Sequence, residues 1–238
     1  MSKLKTLQSR QRVFLVGLIA IDLTLASIYL MSTILFGKSL SEFDFNIPRT
    51  IPVLFAACKL FMIGVLLTLA SGWRQHELPK KSWLLLLAVG TAFIYVSQDK
   101  IWKIHLLLHR FDWMPKFKSG GGEWVFFYLP IITITIVLGY RHLLALWRKY
   151  PRSTFFTVLG IGLFLFGGMG VEIINDQFFK QYISQIAVSI HSTDAIVNSI
   201  KDTIEELTEL LGESIALFGL TLFFITRLIE ESKGKGKD

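Results

Sequence analysis

Apolar residues run in long unbroken stretches along this chain, and the polar ones gather between them. Six stretches are long enough to cross the hydrocarbon core of a bilayer, which takes about 20 helical residues, or somewhat fewer where flanking side chains reach the interface. They cover 13–36, 51–70, 83–98, 124–140, 155–171 and 210–226. Backbone N–H and C=O groups in lipid must bond within their own segment, so each stretch is expected to be a helix. The short alternating segments of a membrane barrel are missing. The pattern therefore predicts an all-α, polytopic integral membrane protein, with six transmembrane helices in a single domain over 1–238. The first stretch is too long for the core of a signal peptide, and no small-residue cleavage site follows it promptly, so it reads as a retained span.

Between the fifth and sixth stretches the period changes. Phe179, Ile183, Ile186 and Ile190, then Val197, Ile200, Ile204, Leu207 and Leu211, recur with 4-3-4 spacing and a lapse near Thr193. Ser192 or Asp194 can cap a new helix there. The spacing predicts an outer helical segment over 173–209, made of two amphipathic helices, the second running unbroken into the sixth span. Its apolar stripe fits the outer mouth of the bundle or the membrane interface. It would also serve a coiled coil with a second copy or a membrane partner protein.

Composition agrees: 52% of the residues are apolar and 18% charged, where a soluble domain carries about a quarter charged residues. The single cysteine, Cys58, rules out a disulfide scaffold and, lying mid-span, is expected to be buried and inert. Of the 25 Lys and Arg residues, 15 fall on the side that holds both termini, nine on the other, and Lys59 lies within a span. This bias predicts cytoplasmic N- and C-termini. The net charge of +7 is scattered over several loops. The bilayer is thus the expected partner, and nucleic acid is not.

Gly160, Gly162, Gly167, Gly168 and Gly170 sit inside an apolar span without the strand-loop-helix setting of a nucleotide fingerprint, so close helix packing is their expected role. No Walker loop, nucleophile elbow, CxxC or haem-attachment motif occurs.

The chemistry lies in ionisable residues where lipid should forbid them. Asp22 and Lys59 fall mid-span at depths that differ by about 3 Å counted from the inner ends of their spans, or about 9 Å from the outer ends, at a rise of about 1.5 Å per residue. A hairpin of the two spans is expected to pair them as an intramembrane ion pair. That pair either fixes helix register or relays protons or ions. Asp99, Glu172, Glu209 and Glu213 bring carboxylates from three helices to one membrane depth. His105 and His109, four apart on an expected helical continuation of the third span, would share a face above Asp99. Crowded carboxylates must be neutralised. Protons can do this, or the basic loop carrying Lys100 and Lys103, or a divalent cation. Asp99, His105, His109, Glu172 and Glu209 form a donor set suited to zinc, manganese or iron, with Glu213 left as a general base on bound water.

Phe45-Asn-Ile-Pro-Arg-Thr-Ile-Pro52, Asp99 with His105 (D-x5-H), Glu172, and Glu205-Glu206-Leu-Thr-Glu209-Leu-Leu-Gly212 (EExxExxG) resemble an uncharacterised group of bacterial polytopic membrane proteins. Lys100 and Leu106 stand where that group carries further acids. The resemblance implies a membrane fold in a bacterial inner membrane and no activity. A chemical likeness to intramembrane metal hydrolases such as alkaline ceramidases is confined to HxxxH, which occurs early here. Three functions fit these residues: a metal-dependent hydrolase for an amphipathic substrate at the outer boundary, an ion or small-solute channel or transporter subunit, or a scaffold that holds a partner through its outer helix.

Overall fold

The computed structural model describes residues 2–72, 82–111, 114–115, 123–174 and 194–234. Six helices are long and apolar enough to cross a membrane: Arg10–Phe36, Ile51–Gly72, Trp83–Trp102, Glu123–Lys149, Pro151–Ile174 and Asn198–Glu230. No strand occurs among the described residues. The chain is an all-α, multi-pass membrane protein.

In chain order the helices are α1 (Ser2–Phe36), α2 (Ile51–Gly72), α3 (Ser82–Trp102), α4 (Glu123–Lys149), α5 (Pro151–Leu165), α6 (Val171–Ile174) and α7 (Asp194–Gly234). Pro151 opens α5 and keeps Tyr150 out of helical geometry (φ −127°, ψ 61°), so α4 and α5 join through one residue. A five-residue π-helical turn, Phe166–Gly170, links α5 to α6 through the glycine run. The expected helix over 173–190, with Phe179, Ile183, Ile186 and Ile190, lies outside the described residues. Its expected successor does begin at Asp194 and continues through the sixth span as one helix of 41 residues.

α7 is the centre of the bundle and packs against α1, α2 and α5, while α2 packs along α3 and α4 lies at the periphery. Glycines set the closest approaches. A methyl group on Gly212 would meet the Gly160 carbonyl at 2.7 Å, and one on Gly160 would meet the Gly212 carbonyl at 2.5 Å. At Gly219 it would fall 2.5 Å from the Thr157 nitrogen. Gly64 and Gly90 bring α2 and α3 together in the same way. This is the small-residue packing by which helices associate where water cannot drive them together. Gly162, on the same helix as Gly160, has open space around it.

Two apolar clusters flank the middle of the bundle. The larger includes Leu18, Leu60, Ile63, Leu67, Leu217, Leu220, Phe223 and Tyr150. The smaller holds Leu25, Tyr29, Phe45, Ala56 and Leu210. We call the ends they mark the Tyr150 end and the acidic end.

Two expectations are corrected. Cys58 lies on the exposed outer face of α2, since depth along a helix does not decide azimuth. The helical continuation through His105 and His109 is also not α-helical. α3 stops at Trp102, Lys103 adopts the left-handed conformation (φ 52°), and Ile104–Arg110 form a 3-10 helix. The Lys103 N–H bonds the Asp99 carbonyl at 2.7 Å, the αL helix cap. The one-face argument for residues four apart belongs to α-helical geometry and does not hold in a 3-10 helix.

Gly160→Ala should lower stability by about 1–3 kcal/mol, the usual cost of overpacking, despite alanine's better helix propensity. Gly162→Ala should be neutral or stabilising by up to about 1 kcal/mol. Unfolding of the detergent-solubilised variants measures both, and equal effects would refute the packing role.

Candidate functional site

At the centre of the bundle, Lys59 of α2 points at α1 and α7. Its Nζ donates to Asp22 Oδ1 at 2.8 Å, to the Leu210 carbonyl at 2.8 Å and to Ser214 Oγ at 3.2 Å. Ser214 Oγ in turn donates to Asp22 Oδ2 at 2.5 Å. The ammonium's three protons are thereby used. Glu213 Oε2 lies 3.2 Å from the same nitrogen, yet neither Glu213 oxygen has a hydrogen-bond donor among the described residues. Lys59 Nζ also stands 4.8 Å from the Phe55 ring centre, a favourable cation–π distance. The side chains of Asp22 and Glu213 are 0% exposed and that of Lys59 is 3% exposed. By helix rise, Lys59 is about 12 Å from the Ile51 end of α2 and about 20 Å from the Gly72 end. One cation therefore faces two carboxylates, deep in the bundle.

α7 carries this arrangement towards the acidic end. Asp202, Glu206, Glu209 and Glu213 recur at i, i+4, i+7 and i+11, a single helix face about 16 Å long. The second tier repeats the stoichiometry of the first: Lys100 Nζ lies 2.8 Å from Glu206 Oε2 and 2.6 Å from Glu209 Oε2. The π-helical turn lets α5 approach here, since a methyl group on Gly168 would lie 3.0 Å from Glu209 Oε1 and one on Gly167 would lie 2.8 Å from the Glu209 nitrogen. Lys103 stands close by. Burial, and then the charge of Lys100, push its ammonium below the usual lysine range.

The third tier is Asp202. Asn46 Nδ2 donates to its Oδ2 at 2.9 Å, and Tyr29 OH reaches the same oxygen at 3.4 Å. Lys201 Nζ is 3.4 Å from Asp202 Oδ1 and 3.7 Å from Glu205 Oε2. Phe45, 1% exposed, packs on Leu210 and stands edge-on to Tyr29 at 5.1 Å. It caps the central cluster from the acidic end. Arg49, in the left-handed region at φ 65°, lays its guanidinium 4.0 Å over the Trp102 ring. The segment 45–49 is thus held on both sides.

The candidate metal ligands are distributed over several places. The Asp99 carboxylate is engaged by His105: Oδ1 accepts the His105 backbone N–H at 2.6 Å, and Oδ2 lies 2.8 Å from His105 Nδ1. The His105 ring stands 5.7 Å from that of Trp124. Glu209 is paired with Lys100. Glu172 lies within electrostatic reach of Lys201 and Glu205. The His109 side chain is outside the described residues. Glu213 sits at Lys59. No three His, Cys, Asp or Glu side chains are grouped to hold a metal ion among the described residues.

Residues 10–225 match the model of a family described as Domain of unknown function (DUF8692). The chain belongs to that family. Neither a curated protein nor a solved structure matches it.

Ser214, the Leu210 carbonyl, Asn46 and Tyr29 complete the site without having been singled out from the sequence. A signal existed for Ser214, because Glu213-Ser214 is a polar pair inside an apolar run and lies one turn beyond Leu210. For Asn46 and Tyr29 the signal is absent, since loop contacts to a distant helix leave no period.

Two acids share one ammonium, so each should substitute for the other. Asp22→Asn or Glu213→Gln alone should cost about 1–2 kcal/mol. The double substitution leaves a buried, uncompensated cation and should cost about 4 kcal/mol or more, exceeding the sum. Denaturant unfolding of the four proteins in one detergent closes this cycle. Strict additivity would show that the ammonium does not depend on the pair.

Proposed function

We propose that the protein is an ion-handling subunit, a channel or transporter component, whose exchangeable ion is a proton held at Glu213. The observation that carries this reading is the charge count at Lys59. Two fully buried carboxylates face one ammonium whose three protons are already engaged, and Glu213 is the acid left without a hydrogen bond. Lys100 and Glu209 are the next charges within electrostatic reach of Glu213, and Lys100 is already shared by Glu206 and Glu209. An uncompensated buried charge costs several kcal/mol, so a second positive charge belongs at Glu213, and a proton is the smallest that fits. The acidic face of α7 supports the reading further. It continues from Glu213 through Glu209 and Glu206 to Asp202, at intervals of about 4.5–6 Å along the axis. Water can bridge such intervals in a proton relay. With the basic bias of the loops the termini are cytoplasmic in a bacterial inner membrane, and the acidic end opens to the outside.

A second reading, the divalent-metal site, draws on Asp99 and His105. A carboxylate that holds one imidazole nitrogen while the other is left to ligate is the usual support of a metal-binding histidine. In that reading Asp99 positions His105 and is not itself a ligand. Zinc, manganese or iron in stoichiometric amount in purified protein, lost in His105→Ala, would favour it.

The test of the first reading is proton flux. The full chain in sealed liposomes with an internal pH dye should dissipate an imposed pH gradient faster than empty liposomes. Glu213→Gln should reduce that rate by about a hundredfold, as loss of a proton-transfer group does. No flux above the empty-liposome background in the wild type, or undiminished flux in Glu213→Gln, would refute it.

A further inference from the structure

We infer that the Lys59 ammonium is the tethered occupant of a monovalent-cation cage, and that this occupancy restricts the site to protons. The restriction to protons rests on the ion-handling reading above; the cage rests on geometry alone. Four oxygens lie within 3.2 Å of Lys59 Nζ: Asp22 Oδ1, the Leu210 carbonyl, Ser214 Oγ and Glu213 Oε2. Asp22 comes from α1 and the others from α7, so the shell is closed by two helices while the cation enters from a third. Two carboxylates, a hydroxyl and a backbone carbonyl are hard oxygen donors, the set that replaces the hydration shell of an alkali cation. Their distances of 2.8–3.2 Å suit an ion of ammonium or potassium size.

The cage carries two formal negative charges and Lys59 cancels one. Glu213 is 0% exposed and its Oε1 has no hydrogen-bond partner among the described residues, so the shell retains an unused acceptor. With Lys59 in place, Asp22 and Ser214 are taken, and the oxygens still open are those of Glu213. The two oxygens of one carboxylate replace too little of an alkali ion's hydration shell, whereas the vacated cage offers four oxygens from three further groups and that carboxylate. A proton needs one oxygen. Lys59 is therefore a specificity-determining residue: its ammonium fills the place an alkali ion would take and leaves the carboxyl of Glu213 to exchange protons. A pair that served only helix register would have no use for the surplus acid and would show no preference among free cations.

Lys59→Met tests this, because methionine keeps most of the apolar stem and vacates the Nζ position. The full-length variant in detergent should melt about 5 °C or more higher in about 0.2 M potassium chloride than in the same concentration of choline chloride, since a ligand bound to the folded state alone raises its midpoint. Wild type should show no difference between the two salts. Lys59→Met combined with Glu213→Gln, which leaves one buried acid and so requires one cation, should respond in the same direction and guards against a single variant too charged to fold. A response in either variant supports the cage. If neither distinguishes potassium from choline, whether folded in both salts or in neither, the inference is overturned. Proton flux through wild type with potassium-blind variants would retain the transport reading and remove this one; potassium-responsive variants of a protein that passes no protons would do the reverse.

Discussion

An ammonium in the middle of a lipid-embedded bundle must be ringed by oxygen, and that requirement organises this protein. Lys59 cannot reach water from its position in α2, so α1 must present Asp22 and α7 must present Leu210, Glu213 and Ser214 at the same level. Charges this close interact strongly at low dielectric, but desolvating them cancels much of the gain. Well-packed leucines would hold three helices together about as firmly. The cluster thus contributes selectivity of position more than net stability. The surplus acid goes further than position requires, which is why a functional role for Glu213 follows more readily than a structural one.

The approach of α5 to α7 belongs to the same design. Gly160, Gly212 and Gly219 bring the two backbones into contact, and the π-helical turn at Phe166–Gly170 carries the contact onto Glu209. A π turn inserts an extra residue into the helical repeat and rotates the next helical segment about the axis. With Gly167 and Gly168 at that turn, no side chain of α5 stands between its backbone and the Glu209 carboxylate. The second charged tier, Lys100 with Glu206 and Glu209, is therefore walled by backbone on one side. Close packing and charge placement are one feature here.

Hydrocarbon thickness makes six spans legible from residues alone, because any helix that crosses must show its length in the sequence. The constant rise per residue makes depth legible too, and Asp22 and Lys59 can be matched on that ground. Azimuth is not legible, because it depends on which helix becomes a neighbour. Cys58 follows Ala57 at nearly the same depth and faces outward, while Ala57 and Lys59 face in. The same limit hides that Glu213 joins Lys59 and leaves the group of Asp99 and Glu172. The end of α3 is a different case. Lysine carries almost no signal for the left-handed conformation, so the cap at Lys103 and the 3-10 helix through His105 could not be read from spacing. Loop residues such as Asn46 are found only when the fold brings Asp202 to them.

Among the described residues, the column of buried charges runs from Lys59 towards the acidic end. From Asp202 it descends to Lys59, and beyond Lys59 the axis is filled by Leu18, Leu67, Leu217, Leu220 and Phe223. About 20 Å of apolar packing separates the cluster from the Tyr150 end at helix rise. A fixed pore is incompatible with that plug, so in the proposed role passage of a proton would require helices to move. The glycine contacts show which helices are interlocked and would move together. α2 and α3 are joined through Gly64 and Gly90, α5 and α7 through Gly160, Gly212 and Gly219, and such backbone contacts resist sliding. The two pairs meet at Lys59, where charge joins α2 to α7, and along the apolar cluster in which Leu60, Ile63 and Leu67 of α2 pack with Leu217 and Leu220 of α7. A proton gained or lost at Glu213 alters the attraction at that junction by a full charge at low dielectric. The place where an ion would bind is therefore also the joint whose strength the ion would set, which is the coupling that alternating access needs.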